Sequence, residues 1–150
     1  MIKNLKTVFR LIPILILTSC ALNPISSEFD VIQIDKDKIH NTLGNGKVLI
    51  FNGSDWKHTI DNTARLNIWI EKRVLGQIRA KEYVVVDLKN GEYNFTVLHI
   101  DLVKMKSQHK ITIDKNTKVI RISPTITSNK VEITNELPKK FDKYKQMESR

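Results

Sequence analysis

Residues 82–100, EYVVVDLKNGEYNFTVLHI, carry the densest run of β-forming side chains in the chain and decide its fold class. Residues 82–88 combine a tyrosine with three valines, and residues 92–100 alternate apolar with polar positions; both patterns are typical of β-strands. Between them, Asn90 and Gly91 form a pair that accepts the positive φ values of short hairpin turns. The stretch therefore predicts two strands joined as a hairpin.

Further strand-like runs lie on both sides of this stretch. Residues 47–52 (KVLIFN) form the short apolar run expected of a fully buried strand, and residues 65–71 (RLNIWIE) alternate cleanly. Gly76 predicts a tight reversal within residues 74–78. The remaining predicted strands are residues 108–114 (QHKITID), 117–123 (TKVIRIS) and 130–134 (KVEIT), with a further edge strand at 29–34 (FDVIQI). Seven or eight short strands at about ten-residue spacing predict an all-β fold, an antiparallel β-sandwich.

The first twenty residues resemble a bacterial lipoprotein export signal. Lys3, Lys6 and Arg10 give a positive start, residues 11–17 (LIPILIL) are apolar, and the stretch ends at Cys20, the chain's only cysteine. The apolar run is too short to span a bilayer, which takes about 20 residues, so the pattern favours an export signal. The alternatives are a buried N-terminal helix with an incidental cysteine, or an ordinary secretory signal cleaved elsewhere.

The residues before Cys20 resemble a lipobox, in which an aliphatic residue and two small residues precede the cysteine that receives lipid. Leu17, Thr18 and Ser19 occupy these signal-peptidase recognition positions. Two or three acyl chains on Cys20 attach a protein durably, because each buried methylene contributes about 0.8 kcal/mol. Ala21 stands where many inner-membrane lipoproteins carry aspartate. The expected location is therefore the periplasmic face of the outer membrane, or the outer face of the plasma membrane in a single-membraned cell.

The charge balance limits the classes of partner. The chain has 25 Lys and Arg against 16 Asp and Glu, a formal charge of +9. Residues 1–19 hold three bases and no acids, so their removal leaves 22 bases against 16 acids, or +6. This surplus permits contact with an anionic envelope component. No nucleic-acid partner is expected, because no basic residues interleave with aromatic ones as stacking sites require.

The predicted organisation has four parts. They are a signal peptide (1–19), the lipidated Cys20 with a tether (20–45), the β-sandwich domain (46–136) and a basic C-terminal tail (137–150). The tail is expected to be solvated. A short basic amphipathic helix is the alternative, because Leu137, Phe141 and Tyr144 have helical spacing.

Candidate functional residues are few. The four histidines, none at the spacing of a metal site, are His40, His58, His99 and His109. His99 is expected to be a partly buried histidine with its hydrogen bonds satisfied. The loop of residues 53–64 carries Trp56 and His58, and loops on rigid scaffolds often carry function. These two residues and Trp69 are the candidates for partner contact, although Trp69 fits a second-layer core position as well.

Two segments are similar to parts of a known domain pattern. Residues 68–70 (IWI) followed by 74–76 (VLG) are similar to a strand followed by x-x-Gly. Residues 83–88 followed by 89–93 (KNGEY) are similar to an aromatic strand, a turn and a second strand. Through these segments, residues 46–124 resemble small bacterial lipoproteins that carry a single β-sandwich domain of unknown function, PEGA-like in style. The resemblance implies an envelope accessory or binding module and brings no catalytic residues.

These observations predict a non-catalytic, outer-membrane-anchored lipoprotein that serves as a periplasmic binding or accessory module, without cofactor or metal. Its expected partners are the membrane, through lipidated Cys20, and an envelope protein or anionic envelope component; no small-molecule substrate is evident. The alternative is a small anchoring subunit of an envelope secretion or conjugation machine. For an enzyme, the sequence offers only Asp55 and His58 in the loop of residues 53–64.

Overall fold

The computed structural model describes residues 22–54, 64–101 and 103–148 of the 150-residue chain. Within these residues nine strands form two sheets, which confirms the all-β sandwich. The strands are β1 (Lys47–Asn52), β2 (Leu66–Ile70), β3 (Arg73–Ile78), β4 (Glu82–Asp87), β5 (Gly91–Ile100), β6 (Lys104–Ile113), β7 (Val119–Pro124), β8 (Asn129–Ile133) and β9 (Lys145–Gln146). A helical turn, α1 (Ile39–Thr42), and 3-10 turns at Lys36–Lys38 and Phe141–Lys143 lie outside the sheets.

The two sheets differ in strand direction. The five-stranded sheet has the order β8-β7-β1-β4-β9, and the four-stranded sheet has the order β3-β2-β5-β6. In the four-stranded sheet all neighbours are antiparallel, whereas β1 and β7, and β4 and β9, run parallel. The prediction of antiparallel pairing is therefore wrong for these two pairs. The chain reaches β7 from the other sheet and β9 from the tail, and such crossover connections permit parallel neighbours.

Residues 82–100 do not form the predicted hairpin. β4 pairs with β1 and β9 in the five-stranded sheet, whereas β5 pairs with β2 and β6 in the four-stranded sheet. The turn at Asn90 and Gly91 instead carries the chain between the sheets, with Leu88 buried in the core that they share. β4 is buried on both faces and β5 on one. This difference explains why the first strand is apolar at successive positions and the second alternates.

The reversal predicted at Gly76 lies at Glu71 and Lys72, which join β2 to β3. Both residues have positive φ, 49° and 69°, as in the two-residue turns that Asn and Gly usually occupy. Neither side chain is typical of such a turn, so no sequence pattern indicates it. Gly76 lies inside β3, where its φ is 123° and a Cβ would come within 3.1 Å of the Met147 sulfur. Both facts favour glycine at that position.

Two apolar clusters stabilise the fold. The larger lies between the sheets and includes Val48, Ile68 and Phe95. The smaller lies on the opposite, outer face of the five-stranded sheet; its strand residues are Leu49, Phe51, Tyr83, Val85 and Val119, packed with Ile39 and Leu43 of the α1 region. β1 and β4 thus have a core on each side. Their continuous apolar sequences follow from that position.

The N-terminal segment, predicted as a tether, packs against the sandwich. We call residues 22–43 the strap. At its start Leu22 is buried against the four-stranded sheet, and farther on the Glu28 amide donates to the Val74 carbonyl (2.8 Å) at the edge of β3. The strap then reaches the five-stranded sheet, where the Ile32 amide donates to Val85 (2.9 Å). Residues 29–34 contact the sheet without forming the predicted edge strand.

The C-terminal segment, predicted as a solvated tail or a helix, also packs. We call residues 137–148 the tail. It forms a 3-10 turn and β9, and Met147, at 5% exposure, enters the core between the sheets. The Lys36 ammonium of the strap donates to the carbonyls of Asp142 (2.9 Å) and Tyr144. Without the strap and tail, the apolar outer face of β1 and β4 would be in water, so burial there explains why both segments are held.

Candidate functional site

A cavity of about 390 Å³ opens beside the end of β1, where the tail crosses the five-stranded sheet. Its walls include the aromatic rings of Phe51 and Tyr144 and the apolar side chains of Leu137 and Pro138. The charged residues of the lining are Arg121, Glu136 and Lys139. The tail therefore both covers an apolar sheet face and forms one wall of a pocket.

Arg121 supplies a fixed positive charge to this cavity. It lies on β7 beside Phe51 of β1, facing away from the core between the sheets. Its Nη2 donates to the carbonyl of Gly53 (3.1 Å), and a Cβ on Gly53 would come within 2.3 Å of the Arg121 Nε. Position 53 therefore requires glycine for the guanidinium to lie against the backbone. That Nε is buried, and no residue of the described part of the chain accepts a hydrogen bond from it.

Tyr144 brings both an aromatic ring and a hydroxyl to the lining. Its ring packs edge-on against Phe51 (centroids 5.9 Å apart, planes at 85°) and stacks on Phe141 at 6.2 Å. Burial raises the pKa of Tyr144 above its ordinary value, while the charge of Arg121 acts in the opposite direction. Tyr144 is therefore neutral at physiological pH, and its hydroxyl can both donate and accept a hydrogen bond.

The chemistry of this lining favours binding. A guanidinium matches the geometry of a carboxylate or phosphate, and aromatic and apolar walls bury the rest of a small ligand. Ser54 and Thr134 contribute hydroxyls. The described lining includes no histidine that could activate either hydroxyl as a nucleophile. The ligand class that fits is a small anion with an apolar body.

The residues predicted from the sequence are placed elsewhere or lie outside the described residues. Those outside are Leu17, Thr18, Ser19, Cys20, Trp56 and His58. Trp69 is half-buried on the outer face of the four-stranded sheet, beside Thr96 of β5, and takes no part in the core between the sheets. The cavity lies on the other sheet, so the structure does not bring Trp69 to it.

A buried polar cluster joins the sheets at one end. His99, expected to be partly buried with its hydrogen bonds satisfied, is fully buried at 1% exposure, and its Nδ1 lies 2.7 Å from the Asn129 Oδ1. The Asn129 amide donates to the Ser107 Oγ (2.9 Å), which lies 2.9 Å from the His109 Nε2. Burial lowers the pKa of His109 and so favours its neutral form. The cluster links β8 to β5 and β6 across the core.

Residues 22–54, 64–101 and 103–148 hold neither a metal-ligand cluster nor a membrane-spanning helix. No three His, Cys, Asp or Glu side chains there gather as a metal site would require. Helices in the same ranges are too short and too polar for any to cross a bilayer.

Sequence reasoning missed the cavity because its parts are far apart in the chain. Arg121 and Gly53 are 68 positions apart, and no local pattern indicates that they meet. The signal in the sequence is the apolar and aromatic content of residues 137–144 (LPKKFDKY). The chain matches no protein-family model, no curated protein and no solved structure.

Proposed function

We propose that the chain is a lipoprotein anchored through Cys20 at the periplasmic face of the outer membrane, and that its sandwich is a non-catalytic module that binds an envelope component. The observation that carries the proposal is the position of Leu22. This residue is 7% exposed, and its carbonyl accepts a hydrogen bond from the Gln77 Nε2 (3.1 Å). Cleavage before Cys20 would therefore remove the whole export signal and leave the fold intact.

The contacts of the next residue support the same boundary. The Asn23 carbonyl accepts a hydrogen bond from the Asn67 Nδ2 (2.9 Å), and Asn67 in turn accepts one from Gln77 (2.9 Å). The strap is thus held from its first two described residues. Because two residues span at most about 7 Å, a lipid on Cys20 would hold the sandwich close to the bilayer rather than on a long tether.

The cavity beside Arg121 supports a binding role for the anchored domain. It offers one guanidinium and one ammonium against a single carboxylate, within aromatic and apolar walls. Membrane attachment raises the effective concentration of such a module near ligands in the same envelope. The ligand class is therefore a small envelope molecule, or the end of a larger one, that has an anionic group and an apolar body.

Mass spectrometry of the protein from a double-membraned host tests the anchor. The expected product begins at Cys20 and carries acyl chains, and it leaves the outer-membrane fraction only with detergent. Cys20→Ser is expected to stay full-length, whereas Thr18→Ala, which keeps a small residue, is expected to be processed normally. An intact Met1, or release in a wash without detergent, would overturn the anchor.

NMR titration with small carboxylates tests the binding role separately. Aromatic and aliphatic carboxylates should shift the resonances of Gly53, Arg121 and Tyr144 in the wild type. Arg121→Gln should remove these shifts, while Lys118→Gln, at an exposed position just before β7 and outside the cavity lining, should keep them. Shifts that persist in Arg121→Gln, or that appear for uncharged analogues alone, would contradict an anion site at this cavity.

A further inference from the structure

The outer face of the four-stranded sheet is open along β5 and β6. Along each strand, side chains point alternately to this face and to the core. Across β2, β5 and β6, one row on this face is Asn67, Leu98 and Lys106. The next row is Trp69, Thr96 and Gln108. Leu98, Trp69 and Thr96 are half-buried, and Lys106 and Gln108 are exposed. Apolar and aromatic surface therefore lies in the middle of this face, with cations along the β6 edge.

The start of the strap lies on this same face. Asn67 and Gln77 are neighbours on β2 and β3, and they are buried because Leu22 and Asn23 cover them. Cys20 is two residues before Leu22, a distance of at most about 7 Å along the chain. Neighbouring strands are about 4.8 Å apart, so Lys106 lies only two strand spacings from Asn67. Leu22, the described residue nearest to Cys20 in the chain, and the lysines of β6 thus lie on one side of the molecule.

The charges at this end of the face are not neutralised by ion pairs. Lys104 and Lys106 are exposed, and within the described residues neither ammonium lies within 4.0 Å of a carboxylate. Lys110, farther along β6, is paired with Glu92 at 3.3 Å. Val103, which is 59% exposed in the turn before β6, adds apolar surface beside Lys104. The turn also holds the half-buried Asp101, so the positive excess here is one charge or more.

We infer that the outer face of the four-stranded sheet lies against a bilayer containing anionic lipid, with Trp69 at the headgroup level and Lys104 and Lys106 on lipid phosphates. The inference rests on the proposed lipid anchor at Cys20. Tryptophan favours the membrane interface because its ring is apolar and its N–H is polar. Each lysine near an anionic surface raises membrane affinity roughly five-fold. The face needs no other occupant than the membrane to which the chain is anchored.

This orientation also places the rest of the molecule. The two outer faces of a sandwich point in opposite directions, so the later part of the strap (from Ile32), the tail and the Arg121 cavity, all on the five-stranded sheet, would face away from the bilayer. A ligand in that cavity would be met from the aqueous side. The anchor and the cavity would then work on opposite sides of one domain.

Surface labelling of the lipidated protein tests the orientation. The protein is reconstituted in vesicles of phosphatidylcholine with phosphatidylglycerol, and the rate at which an amine-reactive reagent acetylates each lysine is read by mass spectrometry. Lys104 and Lys106 should react several-fold more slowly in vesicles than in detergent. Lys38 and Lys143, exposed on the strap and tail over the other sheet, should react at the same rate in both.

Quenching of Trp69 by brominated acyl chains gives a second measurement, in a Trp56→Phe background that leaves one tryptophan. Quenching should be strong in the parent and several-fold weaker in Lys104→Glu/Lys106→Glu. The matched control, Lys38→Glu/Lys143→Glu, makes the same charge change on the other sheet and should keep the quenching. Equal quenching in both double variants would show that the lysines do not hold the face to lipid, and would overturn the inference.

The failures of the two proposals are distinguishable. An unlipidated Cys20 in the mass spectrum would remove the anchor itself. A protein with lipid on Cys20 whose Lys104 and Lys106 react as fast as Lys38 would keep the anchor and overturn the orientation. Protection of these lysines in cells but not in vesicles would assign the face to a protein or polymer instead, which also overturns it.

Discussion

The outer face of the five-stranded sheet is covered by other segments of the chain, whereas much of the outer face of the four-stranded sheet is open to solvent. On the five-stranded sheet, Leu49 and Val85 are fully buried because the strap and tail cover them. On the four-stranded sheet, the equivalent face carries Thr96 and Lys106, which reach solvent. The difference is visible in the strands, since β1 and β4 are apolar at successive positions and β5 alternates. A continuous apolar strand in a sandwich thus indicates that another segment of the chain covers its second face.

The largest expected difference between the faces comes from the same substitution on each. Val85→Asp would place a carboxylate in the covered face, where it has no partner, and should cost about 4 kcal/mol of unfolding free energy or more. Thr96→Asp on the open face should lower the free energy of unfolding by about 1 kcal/mol or less, because the carboxylate can reach water. Urea unfolding of both variants measures the contrast. Similar losses would show that the covering by strap and tail is not maintained in solution.

Removing one aromatic ring of the tail should have the next largest effect. Phe141 packs 5.0 Å from the Tyr83 ring centroid and stacks on Tyr144, with the Lys36 ammonium 5.7 Å away. Phe141→Ala should therefore destabilise the fold by about 2–3 kcal/mol, slightly less than for a fully buried ring. Trp69→Ala, on the open face, should cost less. Thermal or urea unfolding measures the stability of both variants. If the tail were solvated, Phe141→Ala would leave the stability unchanged.

Alkaline pH should lower the stability of the fold through two tyrosines at the covered face. Burial raises the pKa of Tyr83 and is the main cause of the raised pKa of Tyr144. In the unfolded chain these phenols ionise near pH 10, whereas the folded state keeps its protons to higher pH. The unfolded state then binds fewer protons, so stability should fall as pH rises above about 10. Tyr144→Phe should reduce this slope in urea unfolding measured from pH 8 to 11; an unchanged slope would exclude Tyr144 as a cause.

The smallest effect is expected at mildly acid pH, from His109, a residue of β6 in the polar cluster that joins the sheets. Burial lowers the pKa of His109, so the unfolded state takes up a proton near pH 6.5 before the folded state does. The contribution of neutral His109 to the free energy of unfolding should be fully present above that pH, and it should be lost as the pH falls below it. His109→Gln should flatten the decline between pH 7 and 5. His40→Gln, at an exposed position in α1, is the control and should leave it unchanged.

The sequence was sufficient for the fold class and for most strand positions. It was not sufficient for the connections: the pattern of residues 82–100 is the same whether its turn joins neighbours in one sheet or crosses between two. The turn at Glu71 and Lys72 was missed because positive φ there is imposed by the pairing of β2 with β3 and not by residue type. The lipidation and loop residues, Cys20, Trp56 and His58, remain predictions.

The cavity could not be predicted for a related reason. Arg121 alternates outward on β7, which on a bare sheet would make it an ordinary solvated charge. It becomes part of a pocket only because Gly53 admits its guanidinium and Leu137 and Tyr144 of the tail close over it. Each of these contacts joins residues far apart in the chain, and short-range patterning carries no information about them. The useful sequence signal is a combination of two features: a strand that is apolar at successive positions, and a terminal segment with aromatic residues that could cover its outer face.

The position of Met147 has a consequence for the order of events during synthesis. This residue fills the core beside Gly76, and its amide donates to the Tyr83 carbonyl (2.7 Å). A nascent chain that still lacks Met147 therefore has a hole in the core beside Gly76 and cannot complete the native packing. Contacts so distant in sequence also form slowly. A chain that is exported before it folds, as proposed above, would benefit from this contact, because its core stays incomplete until Met147 has been synthesised.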